Sequence, residues 1–268
     1  MTTGAVAAAR HDHLPTAQLE AFHRDGFVVL PDFFAQDLMR DLVREIDELE
    51  AGGRATPIYA LPTHGMLTSH PDLMAVMEAI LGADFLFHHI HTYRHDTGAP
   101  GVNWHNDYEQ VPQTNRSHLN VIALIYPQGL SGAVGDLAVV PGTQGIVSDW
   151  YQLSCFGTET MPGEVVIDRL PPGSVVVAHT GLLHCRRAKP GAGPRYFTDT
   201  SYCQRGILWP SWSEDDWRVM LRHCRDHGYD RGGRYRHLYD ESQFFDQNSA
   251  RARIASLNES GSLYPRIG

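Results

Sequence analysis

Residues 103–107 read Asn103-Trp104-His105-Asn106-Asp107. In an extended segment the side chains alternate between two faces, so His105 and Asp107 leave the same face. An imidazole beside a carboxylate supplies two of the three ligands of a 2-His-1-carboxylate site, which binds Fe(II) and leaves coordination positions open. By itself the pattern is weakly specific, because the chain contains 16 histidines.

A candidate for the third ligand lies further along the chain, within residues 173–184. There a Pro-Gly turn leads into an apolar, β-branched run, and His184 follows in apolar surroundings. Eleven residues after His184, Arg195 opens an alternating run to Cys203 that predicts another strand. Taken singly, His184 also fits a core histidine bonded to backbone, and Arg195 fits a surface residue at a strand end.

The order of these residues is similar to that in a known family. A His-x-Asp pair, a distal His and an Arg on the next strand resemble the iron(II)- and 2-oxoglutarate-dependent dioxygenases, specifically the phytanoyl-CoA dioxygenase-like branch. The opening helix, Asp25-Gly26, strand and second helix look like the start of such chains. The turn at residues 141–144, Pro-Gly-Thr-Gln, matches their Pro-Gly-Ser-His sequence only in part. The resemblance covers residues 14–50, 85–145 and 170–203.

The resemblance implies an activity and a set of cofactors. It implies that His105, Asp107 and His184 hold Fe(II), with the open positions taken by 2-oxoglutarate and O₂. Arg195 would bind the distal carboxylate of 2-oxoglutarate, since a guanidinium pairs with a carboxylate in bidentate fashion. The implied reaction is hydroxylation, or another oxidation, of an unactivated C–H bond in a small metabolite, with 2-oxoglutarate converted to succinate and CO₂. Halogenases of this type carry Gly or Ala where Asp107 stands, so hydroxylation is the expected outcome.

Further contacts follow from the same resemblance. Relatives often carry a small hydroxyl residue two positions after the distal His, where this chain has Arg186. Either another residue supplies that hydroxyl, or the extra cation meets an anionic substrate. Thr92 and Asn103 are candidate polar residues of the 2-oxoglutarate site. Candidates for the substrate pocket are Tyr108, Trp150, Tyr151 and Arg186.

A histidine-rich strand needs an interpretation of its own. His89 and His91 lie on one face of the strand predicted over residues 85–93, and they could bind a metal in another fold. No carboxylate stands at matching spacing, so we expect them to line the interior or the mouth of a barrel.

Short strands separated by Gly and Pro turns predict a mainly β protein with flanking helices. The expected core is a double-stranded β-helix (jelly roll, cupin-like). Helices are predicted from Thr16 as N-cap, over residues 32–50 and over 71–81, with a loop at 54–70. Strands are predicted over 27–31, 85–93, 119–127, 136–140, 165–170, 174–179 and 195–203. We expect one domain: a disordered segment 1–13, N-terminal helices 14–82, a jelly-roll core 83–206 and a helical or irregular extension 207–268.

Composition limits the setting and the partners. The 268 residues are 42% hydrophobic and 20% charged, typical of a soluble globular protein. The net charge of −9 and the lack of a basic run argue against nucleic acid or an anionic membrane as a partner. Four cysteines without a CxxC pair favour a reducing, cytoplasmic location. Two other functions stay open: a cupin-like metal hydrolase or isomerase, and a barrel that binds a small molecule without catalysis. Arg195 favours the oxygenase, since only a 2-oxoglutarate site requires that cation.

Overall fold

The structure is a computed structural model that describes residues 14–108, 117–147, 153–188, 191, 193–212 and 216–259. The segment 1–13, predicted to be disordered, lies outside these residues. The strands are β1 (Phe27–Leu30), β2 (Phe85–His95), β3 (Val102–His105), β4 (Asn120–Tyr126), β5 (Leu130–Ser131), β6 (Leu137–Val140), β7 (Val165–Ile167), β8 (Arg169–Leu170), β9 (Ser174–His179), β10 (Leu183–Arg186), β11 (Arg195–Gln204), β12 (Trp209–Pro210) and β13 (Phe244–Phe245). The helices are α1 (Thr16–Asp25), α2 (Gln36–Ala51), α3 (Pro62–Leu67), α4 (Pro71–Leu81), α5 (Trp217–Asp226) and α6 (Gln247–Glu259).

Two antiparallel sheets form the predicted jelly-roll core. One has the order β1-β9-β4-β11-β2, and the other β3-β10-β6-β7. Apolar side chains from both sheets fill the space between them, among them Ile122, Leu124, Val139 and Val176. These residues alternate with side chains that face outward, as the period of a strand requires. The sequence-based expectation of a double-stranded β-helix is therefore confirmed.

A helical layer covers the outer face of the five-stranded sheet. Outward residues of β4 and β9, such as Val121 and Val175, join one buried cluster with side chains of α2 and α4. Helix α1 ends where Gly26 adopts a left-handed φ of 86° and its N–H bonds Phe22 O. This is a common C-terminal cap. No helix of the described residues is both long and apolar enough to cross a membrane.

Local differences from the sequence-based predictions have physical causes. Pro15, not Thr16, occupies the N-cap of α1, and no side chain caps it. The predicted strand 165–170 is interrupted between β7 and β8, which pair with different strands, β6 and β5. The sequence Ser213-Glu214-Asp215-Asp216 predicts a capping box before α5, but residues 213–215 lie outside the described part of the chain.

The predicted loop 54–70 contains a 3₁₀ turn (Ile58–Ala60) and helix α3, because α2 supplies a cap for that helix. The Glu45 carboxylate accepts hydrogen bonds from the backbone N–H groups of Thr63 and His64, at 2.7 and 3.1 Å. It also contacts His64 Nδ1 at 2.7 Å. Burial alone would raise the pKa of Glu45, but these hydrogen bonds outweigh it and hold the pKa below the ordinary value.

Glu45→Gln is expected to destabilise the fold by about 1–3 kcal/mol, because an amide replaces an acceptor-only group among buried donors. A carboxylate with a lowered folded-state pKa stabilises the fold above its unfolded pKa, and this contribution disappears as pH falls through the folded-state pKa. The difference between wild type and variant should therefore be smaller at about pH 3.5 than at about pH 7. Chemical denaturation at both pH values measures it. Glu48→Ala, on the exposed side of α2, is the control and should change stability by less than about 0.5 kcal/mol.

Candidate active site

The pairing of β3 with β10 brings the two predicted histidine ligands together. His184 lies opposite His105 in the antiparallel register, and the ring centroids are 4.2 Å apart. Asp107 follows two residues after β3 ends, and its backbone N–H bonds Thr180 O at 2.7 Å. The predicted triad thus forms at the end of two adjacent strands.

The three side chains point their ligand atoms at one another. The distances from Asp107 to Nε2 of His105 and of His184 are 3.5 and 3.3 Å. Ligands about 2.1 Å from one ion and at right angles to each other lie about 3 Å apart, so one metal ion fits this set. Each imidazole is oriented through its other nitrogen: Nδ1–H donates to Asn103 O at 2.6 Å and to Leu182 O at 2.9 Å, respectively. In the neutral rings this hydrogen bonding turns both Nε2 atoms inward, as in metal sites.

The charges of the triad support the same interpretation. Burial would raise the pKa of Asp107, but His184 and then His105 outweigh it and hold the pKa below its usual range. Burial lowers the pKa of His184, and the Asp107 charge and hydrogen bond more than compensate, so the net shift is upward. For His105, burial and the neighbouring His184 lower the pKa. Asp107 is therefore ionised at neutral pH, which a metal ligand must be.

Arg195 lies inside the barrel and is 4% exposed. Its guanidinium carbon is 5.3 Å from the Tyr126 ring centre and 5.1 Å from that of Phe197. His95 is its cross-strand neighbour on β2. Among the described residues, Arg195 Nε and His95 Nδ1 are buried without a hydrogen-bond partner. The Tyr126 hydroxyl lies beside the Arg195 guanidinium. A buried cation with an unsatisfied N–H suits an anionic ligand.

Arg186 contributes a second cation at the same end of the barrel. It follows His184 by two residues on β10, and so shares the inward face. Its guanidinium donates to Pro100 O. Burial and then the charge of Arg195 lower the pKa of Arg186. Burial, with Arg186 and Arg195, lowers the pKa of His95 to about 4, so that ring is neutral at pH 7.

The two candidate polar residues of the 2-oxoglutarate site, Thr92 and Asn103, lie in surroundings that differ from each other. Thr92 is fully buried on the face of β2 opposite to His91, and its hydroxyl contacts Thr198 Oγ1 at 2.8 Å and Phe197 O at 3.1 Å. The structure does not bring Thr92 to the cavity, because that face meets the helical layer. Asn103 is exposed, and its side-chain amide donates to Ser154 O at 3.4 Å. Asn103 contributes through its backbone, because its carbonyl oxygen accepts the hydrogen bond that orients the His105 ring.

The candidate residues of the substrate pocket also lie in different parts of the chain's structure or outside the described residues. Tyr108 is 2% exposed, stacks on His179 and donates to His118 O at 2.6 Å, so it packs in the core rather than lining the cavity. Trp150 and Tyr151 lie outside the described residues. Trp104 is buried behind β3, with its indole N–H donating to Glu159 O at 2.6 Å.

Two inward-facing residues were missed by sequence reasoning. Tyr126 ends an almost continuous apolar run, which hides its position beside Arg195. Asp199 lies opposite His91 in the β2–β11 register and provides the carboxylate that the local sequence lacks. The sequence feature that could have identified Asp199 is its position four residues after Arg195, which places both side chains on one face of a strand.

Solved structures with this fold include 2-oxoglutarate-dependent enzymes. HygX from Streptomyces hygroscopicus, with nickel and 2-oxoglutarate bound, superposes with a TM-score of 0.61 at 18% identity, covering 77% of this chain and 94% of HygX. EctD from S. alaskensis, with 2-oxoglutarate and 5-hydroxyectoine, superposes with a TM-score of 0.59 at 20% identity, covering 76% of this chain and 78% of EctD. SnoK is a non-haem α-ketoglutarate-dependent carbocyclase from nogalamycin biosynthesis. It superposes with a TM-score of 0.62 at 14% identity, covering 78% of this chain and 92% of SnoK.

The chain therefore has the fold of the non-haem, 2-oxoglutarate-dependent oxygenases, and the resemblance deduced from its motifs is confirmed at that level. No family model matches the chain, and no curated protein sequence matches it.

Proposed function

We propose that this protein is a non-haem Fe(II)/2-oxoglutarate-dependent oxygenase that hydroxylates, or otherwise oxidises, an unactivated C–H bond of a small metabolite. The observation that carries the proposal is the convergence of His105 Nε2, His184 Nε2 and the Asp107 carboxylate, with both Nδ1 atoms already bonded to carbonyls. Imidazole and carboxylate in this ratio suit ferrous iron with open positions.

The chain's own residues would hold the metal and the cosubstrate. His105, Asp107 and His184 supply three ligands on one side of the ion. When bound, iron and 2-oxoglutarate would supply the oxidation chemistry, in which one atom of O₂ ends in succinate with release of CO₂ and the other is inserted into the substrate C–H bond to give a hydroxyl group. The aliphatic residues between the sheets exclude water beneath the triad, among them Leu124 and Leu182.

Arg195 would bind the distal carboxylate of 2-oxoglutarate. The Tyr126 hydroxyl would donate a hydrogen bond to 2-oxoglutarate, in place of the small hydroxyl residue that relatives often carry two positions after the distal His. Support comes from Arg195 Nε, which is buried without a partner among the described residues, and from the Tyr126 hydroxyl beside that guanidinium. Arg186 adds positive charge at the same end, so the cation that replaces the hydroxyl residue is also available to the 2-oxoglutarate dianion. Of the two alternatives that the sequence left open, we therefore propose that another residue supplies the hydroxyl, which requires no anionic substrate.

The likeness to enzymes such as SnoK supports a role in natural-product biosynthesis with a small-molecule substrate. All four cysteines are free thiols, which supports a cytoplasmic location.

Anaerobic titration of the metal-free protein with Fe(II) and then 2-oxoglutarate tests this function. We expect a weak visible charge-transfer band that requires both additions, because the keto acid would chelate the iron. Iron uptake without a band would favour the hydrolase or isomerase alternative. No metal uptake would leave a barrel that binds a small molecule, and would contradict the proposal.

A further inference from the structure

Three neighbouring strands present polar side chains at the end of the barrel where Arg195 lies. Tyr126 belongs to β4, Arg195 to β11 and His95 to β2, and β11 lies between the other two strands. His95 is the direct partner of Arg195 in the antiparallel register. Directly opposed residues share one face of a sheet, with their Cβ atoms about 5 Å apart. His95 therefore lies beside Arg195 on the inward face, on the side away from Tyr126.

Two guanidinium groups influence the His95 ring. Arg195 is its neighbour on β11, and Arg186 comes from β10 of the facing sheet. Burial, and then the charges of Arg186 and Arg195, lower the pKa of His95 to about 4. The ring is therefore neutral at pH 7, with one N–H and one lone pair. A neutral imidazole can donate a hydrogen bond to an anion at this position without adding to the positive charge already present.

Other histidines of the same strand have partners for Nδ1. His88 donates from Nε2–H to Pro210 O at 2.9 Å, because a carbonyl can only accept. Burial lowers the pKa of His88 to about 4, so this neutral ring accepts through Nδ1 from His89 Nδ1–H at 2.7 Å. His95 is half-buried, and its Nδ1 is buried without a partner among the described residues. His95 thus differs from its neighbours in the strand.

The unsatisfied Nδ1 of His95 and the unsatisfied Nε of Arg195 belong to two side chains that are direct cross-strand neighbours. A buried polar group without a partner costs free energy, so such groups are rare in folded proteins. A carboxylate accepts several hydrogen bonds and can take one from each of these two side chains. A single anionic group beside Arg195 would therefore satisfy both.

We propose that His95 is a further 2-oxoglutarate-binding residue, whose Nδ1–H donates to the distal carboxylate that Arg195 holds. The assignment rests on the proposed function, and it adds a neutral donor to the two cations of that site. His95 then contributes to affinity only for keto acids that carry a carboxylate at the far end. It is not expected to affect how the keto-acid end binds the metal.

Two keto acids separate the contributions of the two ends. 2-Oxopentanoate has the chain length and the keto-acid end of 2-oxoglutarate, but it carries a methyl group in place of the distal carboxylate. Isothermal titration of Zn(II)-loaded protein measures both affinities without turnover, because Zn(II) has the charge of Fe(II) and no redox chemistry. We expect His95→Ala to weaken 2-oxoglutarate binding about 10- to 100-fold and to change 2-oxopentanoate binding less than about twofold.

Two conservative variants distinguish the nitrogens of the ring. The side-chain amide of Asn places an N–H near the position of Nδ1, whereas that of Gln places one near Nε2. We therefore expect His95→Asn to retain most of the affinity for 2-oxoglutarate and His95→Gln to lose as much as His95→Ala. Nitrogen-15 NMR gives a second readout: on addition of 2-oxoglutarate, His95 Nδ1 should take the chemical shift of a proton-bearing nitrogen.

Thr97→Ala is the matched control and should keep the affinity of the wild type, because Thr97 is exposed and its hydroxyl donates to Gly191 O at 3.4 Å. Melting curves check that each variant folds, and the Asn and Gln variants carry the test if His95→Ala does not. Undiminished 2-oxoglutarate binding in His95→Gln would overturn the proposal, as would an equal loss of affinity for both keto acids. No binding of either keto acid by the wild type would overturn the proposed function itself, and this assignment with it.

Discussion

Asp107→Ala is expected to reduce iron-dependent formation of succinate to the background rate. The substitution removes one of three ligands and leaves His105 and His184 without the charge that holds the ion. Loss of a residue that merely supports a metal ligand typically costs 10–100-fold in affinity, so loss of the ligand should cost at least about 100-fold. Iron affinity by equilibrium dialysis and succinate release both measure the effect.

The fold of this variant should persist, since 38% of the Asp107 side chain is exposed and the strands beside it are held by their own backbone ladders. Circular dichroism and a melting curve without metal provide the check. Asp96→Ala serves as the control, because Asp96 is an exposed carboxylate paired with Arg94 outside the barrel. Full iron-dependent turnover by Asp107→Ala would place the metal elsewhere.

The second large effect is expected from Arg195→Ala, which should weaken 2-oxoglutarate binding by about 30-fold to several thousand-fold. This range corresponds to the 2–5 kcal/mol that removal of one partner of a buried charge pair costs. Arg195→Lys keeps the charge but loses the two-pronged geometry, so it should recover only part of the affinity. Isothermal titration of the metal-loaded protein with 2-oxoglutarate distinguishes the three forms.

Iron affinity itself should be unchanged in both Arg195 variants, since Arg195 is not a ligand of the triad. Arg94→Ala is a matched control: Arg94 pairs in register with Tyr196, next to Arg195, yet it faces outward and binds Asp47 and Asp96. An undiminished affinity for 2-oxoglutarate in Arg195→Ala would assign the carboxylate contact to another cation, with Arg186 as the next candidate.

Much of the fold could be predicted because local signals and tertiary packing agree. The helix at Pro71–Leu81 and the strand at Ser174–His179 have the predicted bounds, since proline or glycine marks their ends and apolar periodicity fills them. The convergence of His105, Asp107 and His184 was likewise accessible from sequence. His105 and Asp107 share a strand face by spacing alone, and family order pointed to His184.

What could not be predicted depends on contacts between distant segments. Helix α3 exists within a predicted loop because Glu45, in another helix, caps it. Strand β2 has a register shift opposite Ser201 and Tyr202, so the alternation of its side chains between the two faces of the sheet is interrupted there. No local sequence pattern marks this position. The pairing of His91 with Asp199 likewise depends on that register, so a search for a nearby carboxylate could not find it.

The chain of hydrogen bonds that begins at Pro210 has an evolutionary consequence. Pro210 belongs to the segment after the last barrel strand, yet its carbonyl determines, through His88, which nitrogen of His89 faces the interior. Trp212, whose ring packs against that of His89, comes from the same segment. A replacement in this segment can therefore alter the surface at His89 while β3 and β10, which carry His105 and His184, stay the same. The two stretches of sequence can thus vary independently of each other.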